Sequence, residues 1–125
     1  MDNRWQRGFT GGEQIMGLFD MFKKKFETVS PEVASELASA GAVFIDVREP
    51  SEFKTGHAPG TKNISVSVIG SKLGLIPMGR EVLVICQSGM RSSQAATLLA
   101  KNGYNVKNVA GGMAGWRRAG LRVVK

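Results

Sequence analysis

The 125-residue sequence has one cysteine, Cys86, and one histidine, His57. A single cysteine excludes an intramolecular disulfide and any paired-cysteine redox or zinc motif. With one histidine beside it, a zinc site of three or four ligands lacks its usual donors. No apolar run approaches the roughly 20 residues that a spanning helix needs. The opening stretch Met1-Asp2-Asn3-Arg4-Trp5-Gln6-Arg7 has no apolar core of a secretory signal. These absences lead to an expected cytoplasmic location, with a free thiol in a reducing compartment.

What is present suffices for one domain, since domains average about 150 residues. Apolar residues make up 42% of the chain and charged residues 22%, a composition that builds a core without staples. The net charge is +7. The first 30 residues hold five basic and four acidic side chains, and residues 31–125 hold twelve and six, so +6 belongs to the latter. Such a field either favours anionic partners or serves solubility alone.

The chain shows no internal repeat. Residues 1–14, with Gly8-Phe9-Thr10-Gly11-Gly12, have no period and read as a flexible leader; Met16 offers an alternative start. Within residues 15–26, Ile15, Leu18, Phe19, Phe22 and Phe26 share about 100° of a helical wheel, flanked by Lys23 and Lys25. Such a stripe lies on a membrane surface or docks on its own domain or a partner. Its three turns, and Asp20 among the lysines, favour docking over peripheral membrane contact. Residues 1–27 are therefore expected to be a leader with a short amphipathic Phe/Lys helix, and 28–125 the folded domain.

From Ser30 onward, apolar strands alternate with helical patterns. Ser30-Pro31 supplies a cap and a first-turn proline for a helix running to Gly41. Val43-Phe44-Ile45, Ile64 to Val68, Val82-Leu83-Val84-Ile85 and Val106 to Ala110 read as strands. Ser92 to Lys101 reads as a helix stopped by Asn102-Gly103, and Met113 to Ala119 as a last turn or two. The alternation predicts an α/β fold: one central parallel sheet of four or five strands with helices on both faces.

Cys86 directly follows the most apolar strand, and the helix from Ser92 begins six residues later. Ligands of open parallel sheets bind beyond the carboxyl ends of the strands. A helix start there presents unpaired N–H groups and a positive dipole end, and Gly89 lets the loop curl into an anion nest. A thiol at its centre loses its proton more easily, because those N–H groups stabilise the thiolate. Arg91 adds a planar donor fork suited to an oxyanion. The bland alternative is a cysteine that ends a strand as a small buried hydrophobe.

Four segments together carry a resemblance to the rhodanese (sulfurtransferase) family, single-domain type, from about Thr28 to the end. They are Ile45-Asp46-Val47-Arg48-Glu49-Pro50-Ser51-Glu52-Phe53, Gly56-His57-Ala58-Pro59-Gly60-Thr61-Lys62-Asn63-Ile64, Cys86-Gln87-Ser88-Gly89-Met90-Arg91-Ser92 and Gly111-Gly112-Met113-Ala114-Gly115-Trp116. The resemblance implies sulfur transfer through a persulfide on Cys86, with no metal or organic cofactor. It makes Gln87, Ser88, Gly89, Met90, Arg91 and Ser92 the substrate-binding loop, their N–H groups cradling the persulfide and Arg91 orienting the donor. The implied donors are thiosulfate or a persulfide-bearing protein, and the acceptors a thiol or cyanide. Many thiosulfate-using members carry arginine directly after the cysteine; Gln87 stands there in this chain, which raises the standing of a protein persulfide.

Two relatives in chemistry and one in use remain as alternatives. Cysteine phosphatases place their arginine one position further from the nucleophile than Arg91 stands from Cys86, in a longer loop shaped for phosphate. An arsenate reductase of this fold, having no second cysteine, needs an external thiol. A non-catalytic docking module uses only the surface. Among the remaining residues, Asp46 and Arg48 are expected to support the site as a buried pair, with direct substrate contact as the alternative. Glu52 belongs to a short turn and pairs with a nearby base. His57 resembles the family's structural post more than a base. Trp116 reads as core. Arg117, Arg118, Arg122 and Lys125 form a basic cluster; without interleaved aromatics it reads as a solvated face, so nucleic acid is not an expected partner.

Overall fold

A computed structural model of the chain describes residues 26–125. The expected leader helix therefore lies, apart from its last residue, outside the described residues. Phe26 packs against the core and Glu27 opens the first strand.

Five strands, β1 (Glu27–Val29), β2 (Val43–Asp46), β3 (Lys62–Asn63), β4 (Glu81–Ile85) and β5 (Asn105–Val109), form one sheet in the order β1–β5–β4–β2–β3. Every pairing is parallel. Among the described residues four helices, α1 (Pro31–Ser39), α2 (Pro50–Phe53), α3 (Met90–Lys101) and α4 (Gly112–Arg118), flank it, with two 3-10 turns at Ile69–Ser71 and Leu73–Leu75. None of the described helices is long and apolar enough to cross a membrane.

The central strand β4 explains the layering. Its side chains alternate between faces. Val82 and Val84 pack with Ala95, Ala96 and Leu99 of α3, while Leu83 and Ile85 pack with Ala34 of α1 and Met113 and Trp116 of α4. All four β4 apolar residues are buried, which is why the strand reads as an unbroken apolar run rather than an alternating one. The ring of Trp116 lies 5.6 Å from that of Phe44, and its indole N–H donates to the Arg122 carbonyl at 2.8 Å, so Trp116 is core.

Most elements start and stop where their caps dictate. The Ser30 hydroxyl accepts from the Val33 N–H at 3.1 Å, with Pro31 at the first helical position. The helix expected from Ser92 begins two residues earlier, at Met90, because Gly89 with φ +106° serves as its cap. One expectation is wrong. The strand predicted over Ile64 to Val68 is absent; β3 is only Lys62–Asn63. Ile64 and Val66 still donate to the Asp46 and Val47 carbonyls, but the chain then turns. The Ser65 hydroxyl accepts from the Ser67 N–H, and the Val68 N–H closes on the Ser65 carbonyl. Serine hydroxyls compete with strand pairing in this way, and the alternation of Ile64, Val66 and Val68 hid it. The strand β1 was not expected at all, being three residues long and mostly exposed.

Candidate active site

Cys86 follows β4 directly, beyond the carboxyl end of the central strand, and has no exposed surface. Its Sγ accepts from the Gly89 N–H at 3.0 Å and from the Ser92 hydroxyl at 3.3 Å. Burial pushes the thiol pKa up. The Ser92 hydroxyl and the N–H groups of Ser92, Gly89 and Ser88 outweigh it, and the net result is a pKa below the ordinary value. The donors around the sulfur thus shift its balance toward the thiolate. Removing one donor should be visible: Ser92→Ala should move the pH midpoint of Cys86 alkylation upward. It should also slow alkylation at neutral pH by roughly 3- to 10-fold, the worth of one hydrogen bond. An unchanged midpoint would mean that Ser92 does not act on the sulfur.

The loop is held from behind by α4. The Met113 N–H donates to the Cys86 carbonyl at 2.8 Å and the Ala114 N–H to the Gln87 carbonyl at 3.2 Å. Gly112, at φ +56°, sits so close that a Cβ there would lie 2.4–2.6 Å from Cys86 O and from the carbonyl carbon and oxygen of Gln87. These bonds fix the start of the loop against α4. Asn108 of β5 adds a tether, its Nδ2 donating to the Gly89 carbonyl at 3.3 Å. Neither Gly112 nor Asn108 was expected at the site. The available signals were a second glycine after Gly111 and an amide at a buried position of a strand.

The remaining candidate residues divide by location. Gln87, Ser88 and Met90 are exposed on the loop, and Ser92 is buried beneath it. Arg91 turns to α2, where its guanidinium donates to both carboxylate oxygens of Glu52, at 2.7 and 2.9 Å. Through that bidentate bond Arg91 holds the Glu52 carboxyl down at about 2, and its own pKa rises in return. A lowered carboxyl favours folding at neutral pH. That contribution is complete above the ordinary value of 4.5 and is lost as pH falls through about 2.

Asp46 and Arg48 form a buried ion pair, Nη2 to Oδ2 at 2.7 Å, with side chains 0% and 3% exposed. Arg48 also donates to the Gly56 carbonyl at 2.7 Å. The pair therefore fastens the segment entering His57, and its side-chain bonds do not reach residues 87–92. His57 stacks on Phe53 at 3.6 Å, and its Nδ1–H donates to the Phe53 carbonyl at 2.9 Å. Its backbone pairs with Val124. Among the described residues no group of three or more His, Cys, Asp or Glu is placed to hold a metal ion.

The sequence model of the rhodanese-like domain matches residues 30–119. The chain belongs to the rhodanese-like domain family. A sulfurtransferase from Allochromatium vinosum is 35% identical over 100 residues, covering 78% of this chain and 94% of that protein. Thiosulfate sulfurtransferase GlpE from Ectopseudomonas mendocina is 33% identical over 94 residues, covering 74% and 86%. Among solved structures, reduced CoADR-RHD of Bacillus anthracis superimposes with a TM-score of 0.77 at 34% identity. The match covers 81% of this chain and 18% of that larger one.

Proposed function

We propose that this rhodanese-like chain is a sulfurtransferase that carries sulfane sulfur as a persulfide on Cys86. Likeness to sulfurtransferases over most of its length supports a general role in sulfur transfer. The observation that carries the finer reading is the Cys86 sulfur held by the Gly89 N–H and the Ser92 hydroxyl at the start of α3. That cradle stabilises an anion on sulfur, which is what a nucleophile and a bound persulfide both need.

In the first half-reaction the Cys86 thiolate attacks the outer sulfur of the donor. The new Sγ–S bond forms as the donor's S–S bond breaks, and sulfite leaves from thiosulfate or a thiolate from a persulfide. The backbone from Gln87 to Ser92 holds the transferred sulfur. In the second half-reaction a thiol or cyanide takes the outer sulfur and the Cys86 thiolate is restored. The lowered thiol pKa favours the thiolate that attacks. The reading places the protein in the reducing cytosol, where the thiol stays free.

The test is sulfur transfer to cyanide from thiosulfate and from a cysteine hydropersulfide, native protein beside Cys86→Ser. Thiocyanate should form with the native chain from at least one donor and fall to the uncatalysed rate in the variant. A Cys86→Ser protein that keeps the native rate contradicts the proposal.

A further inference from the structure

We propose that Glu52 is a specificity determinant: by cancelling Arg91 it turns Cys86 away from doubly charged thiosulfate and toward the hydropersulfide of a thiol. The inference rests on the sulfur-transfer reading and narrows its donor. Around the loop, charge is scarce where a dianion would enter. Gln87, Ser88, Gly89 and Met90 carry none. The one cation of the loop, Arg91, has both donors of its fork on Glu52. Glu49, which accepts from the Ser65 hydroxyl, also acts on Arg91 electrostatically. Arg48 is spent on Asp46.

The charged groups linked to Arg91 and Glu52 by these contacts comprise three carboxylates, Asp46, Glu49 and Glu52, against two guanidinium groups, Arg48 and Arg91. Cys86 adds a further negative charge once ionised. The start of α3 supplies about half a positive charge. That helps hold one anionic sulfur and does not offset a dianion approaching the same point. A hydropersulfide brings at most one negative charge. Met90, 77% exposed at the first position of α3, gives the loop an apolar rim that suits a neutral donor. Of the remaining basic side chains, the Arg117 guanidinium stands over Gly56, and that of Arg118 over Gly111 and Gly115 along α4.

The step balances without another reactant. The Cys86 thiolate attacks the outer sulfur of R–S–SH and the Sγ–S bond forms. The donor's S–S bond breaks with its electron pair leaving on R–S⁻, and the proton stays on the transferred sulfur.

Glu52→Gln is the informative variant, because an amide oxygen still accepts the Glu49 N–H bond that Glu52 makes at 3.0 Å. Native and variant full-length chains are mixed with thiosulfate, or with the hydropersulfide of N-acetylcysteine amide. Sulfur loading on Cys86 is then followed by rapid quench and intact-protein mass. Glu52→Gln should raise the second-order loading rate from thiosulfate about tenfold and change that from the hydropersulfide by less than about twofold. Raising salt to about 0.5 M should remove most of the gain, which a change of loop shape would not do. Glu49→Gln, which leaves the Arg91 bond in place, should give a smaller gain of the same sign. An unchanged thiosulfate rate in Glu52→Gln, or equal gains with both donors, overturns the proposal and leaves the sulfurtransferase reading standing. Loading of the native protein from neither donor overturns both.

Discussion

Gly112→Ala should destabilise the domain by about 2–5 kcal/mol and remove most sulfur transfer with it. Two costs add. The residue sits at φ +56°, where a side chain costs roughly 1–2 kcal/mol. The new Cβ would also fall 2.4 Å from the Cys86 carbonyl oxygen and 2.5 Å from the Gln87 carbonyl carbon, and overpacking of that kind adds about 1–3 kcal/mol. These neighbours are backbone atoms, so no side-chain rotation relieves the clash. The loop must move, and the Met113 bond to Cys86 and the Ala114 bond to Gln87 stretch with it. Gly60→Ala is the control. It has φ +82° but nothing within 4 Å of an added Cβ, so it should show the backbone cost alone. Urea unfolding of the three proteins measures the difference. Equal midpoints for the two variants would mean that the close approach at Gly112 is not tight.

Arg48→Leu should cost about 3–5 kcal/mol, because it leaves the Asp46 carboxylate buried with no cation. Asp46 is 0% exposed and has Arg48 as its ion-pair partner, so water cannot replace the guanidinium without opening the core. The Gly56 carbonyl loses its donor in the same change. Removing both charges should hurt less than removing one, since a buried pair replaced by apolar groups is often close to neutral. The double variant Asp46→Leu, Arg48→Leu is thus expected to be more stable than Arg48→Leu alone. Denaturant midpoints decide this directly. A double variant less stable than the single one would show that the ion pair contributes net stability beyond satisfying its own buried charges.

The layered α/β architecture was legible because its signals are local. An unbroken apolar β4, a Ser-Pro helix start and an Asn-Gly stop each carry their meaning within a few residues. The nest around Cys86 was legible for the same reason, since Gly89 and Ser92 lie close in sequence to the sulfur they serve. What escaped depends on partners far along the chain. Glu52 lies 39 residues from Arg91, and nothing in either segment alone says that one will engage the other completely. Arg91, expected to orient an anionic donor, has its guanidinium on the Glu52 carboxylate. Gly112 owes its identity to carbonyls of a loop 25 residues earlier, a distance at which spacing carries no information. The strand misplaced over Ile64 to Val68 failed differently: period-two apolarity was real there, and the Ser65 turn overrode it.

The central claim is that Cys86 itself carries the sulfur, and intact-protein mass after donor alone tests it most directly. The native chain, incubated with thiosulfate or a hydropersulfide and then separated from it, should gain the mass of one sulfur atom from at least one of them. That gain should map to the peptide containing Cys86 and disappear on adding cyanide, while Cys86→Ser should gain nothing. A native chain that gains no mass from either donor, or a gain that survives in Cys86→Ser, would contradict the account.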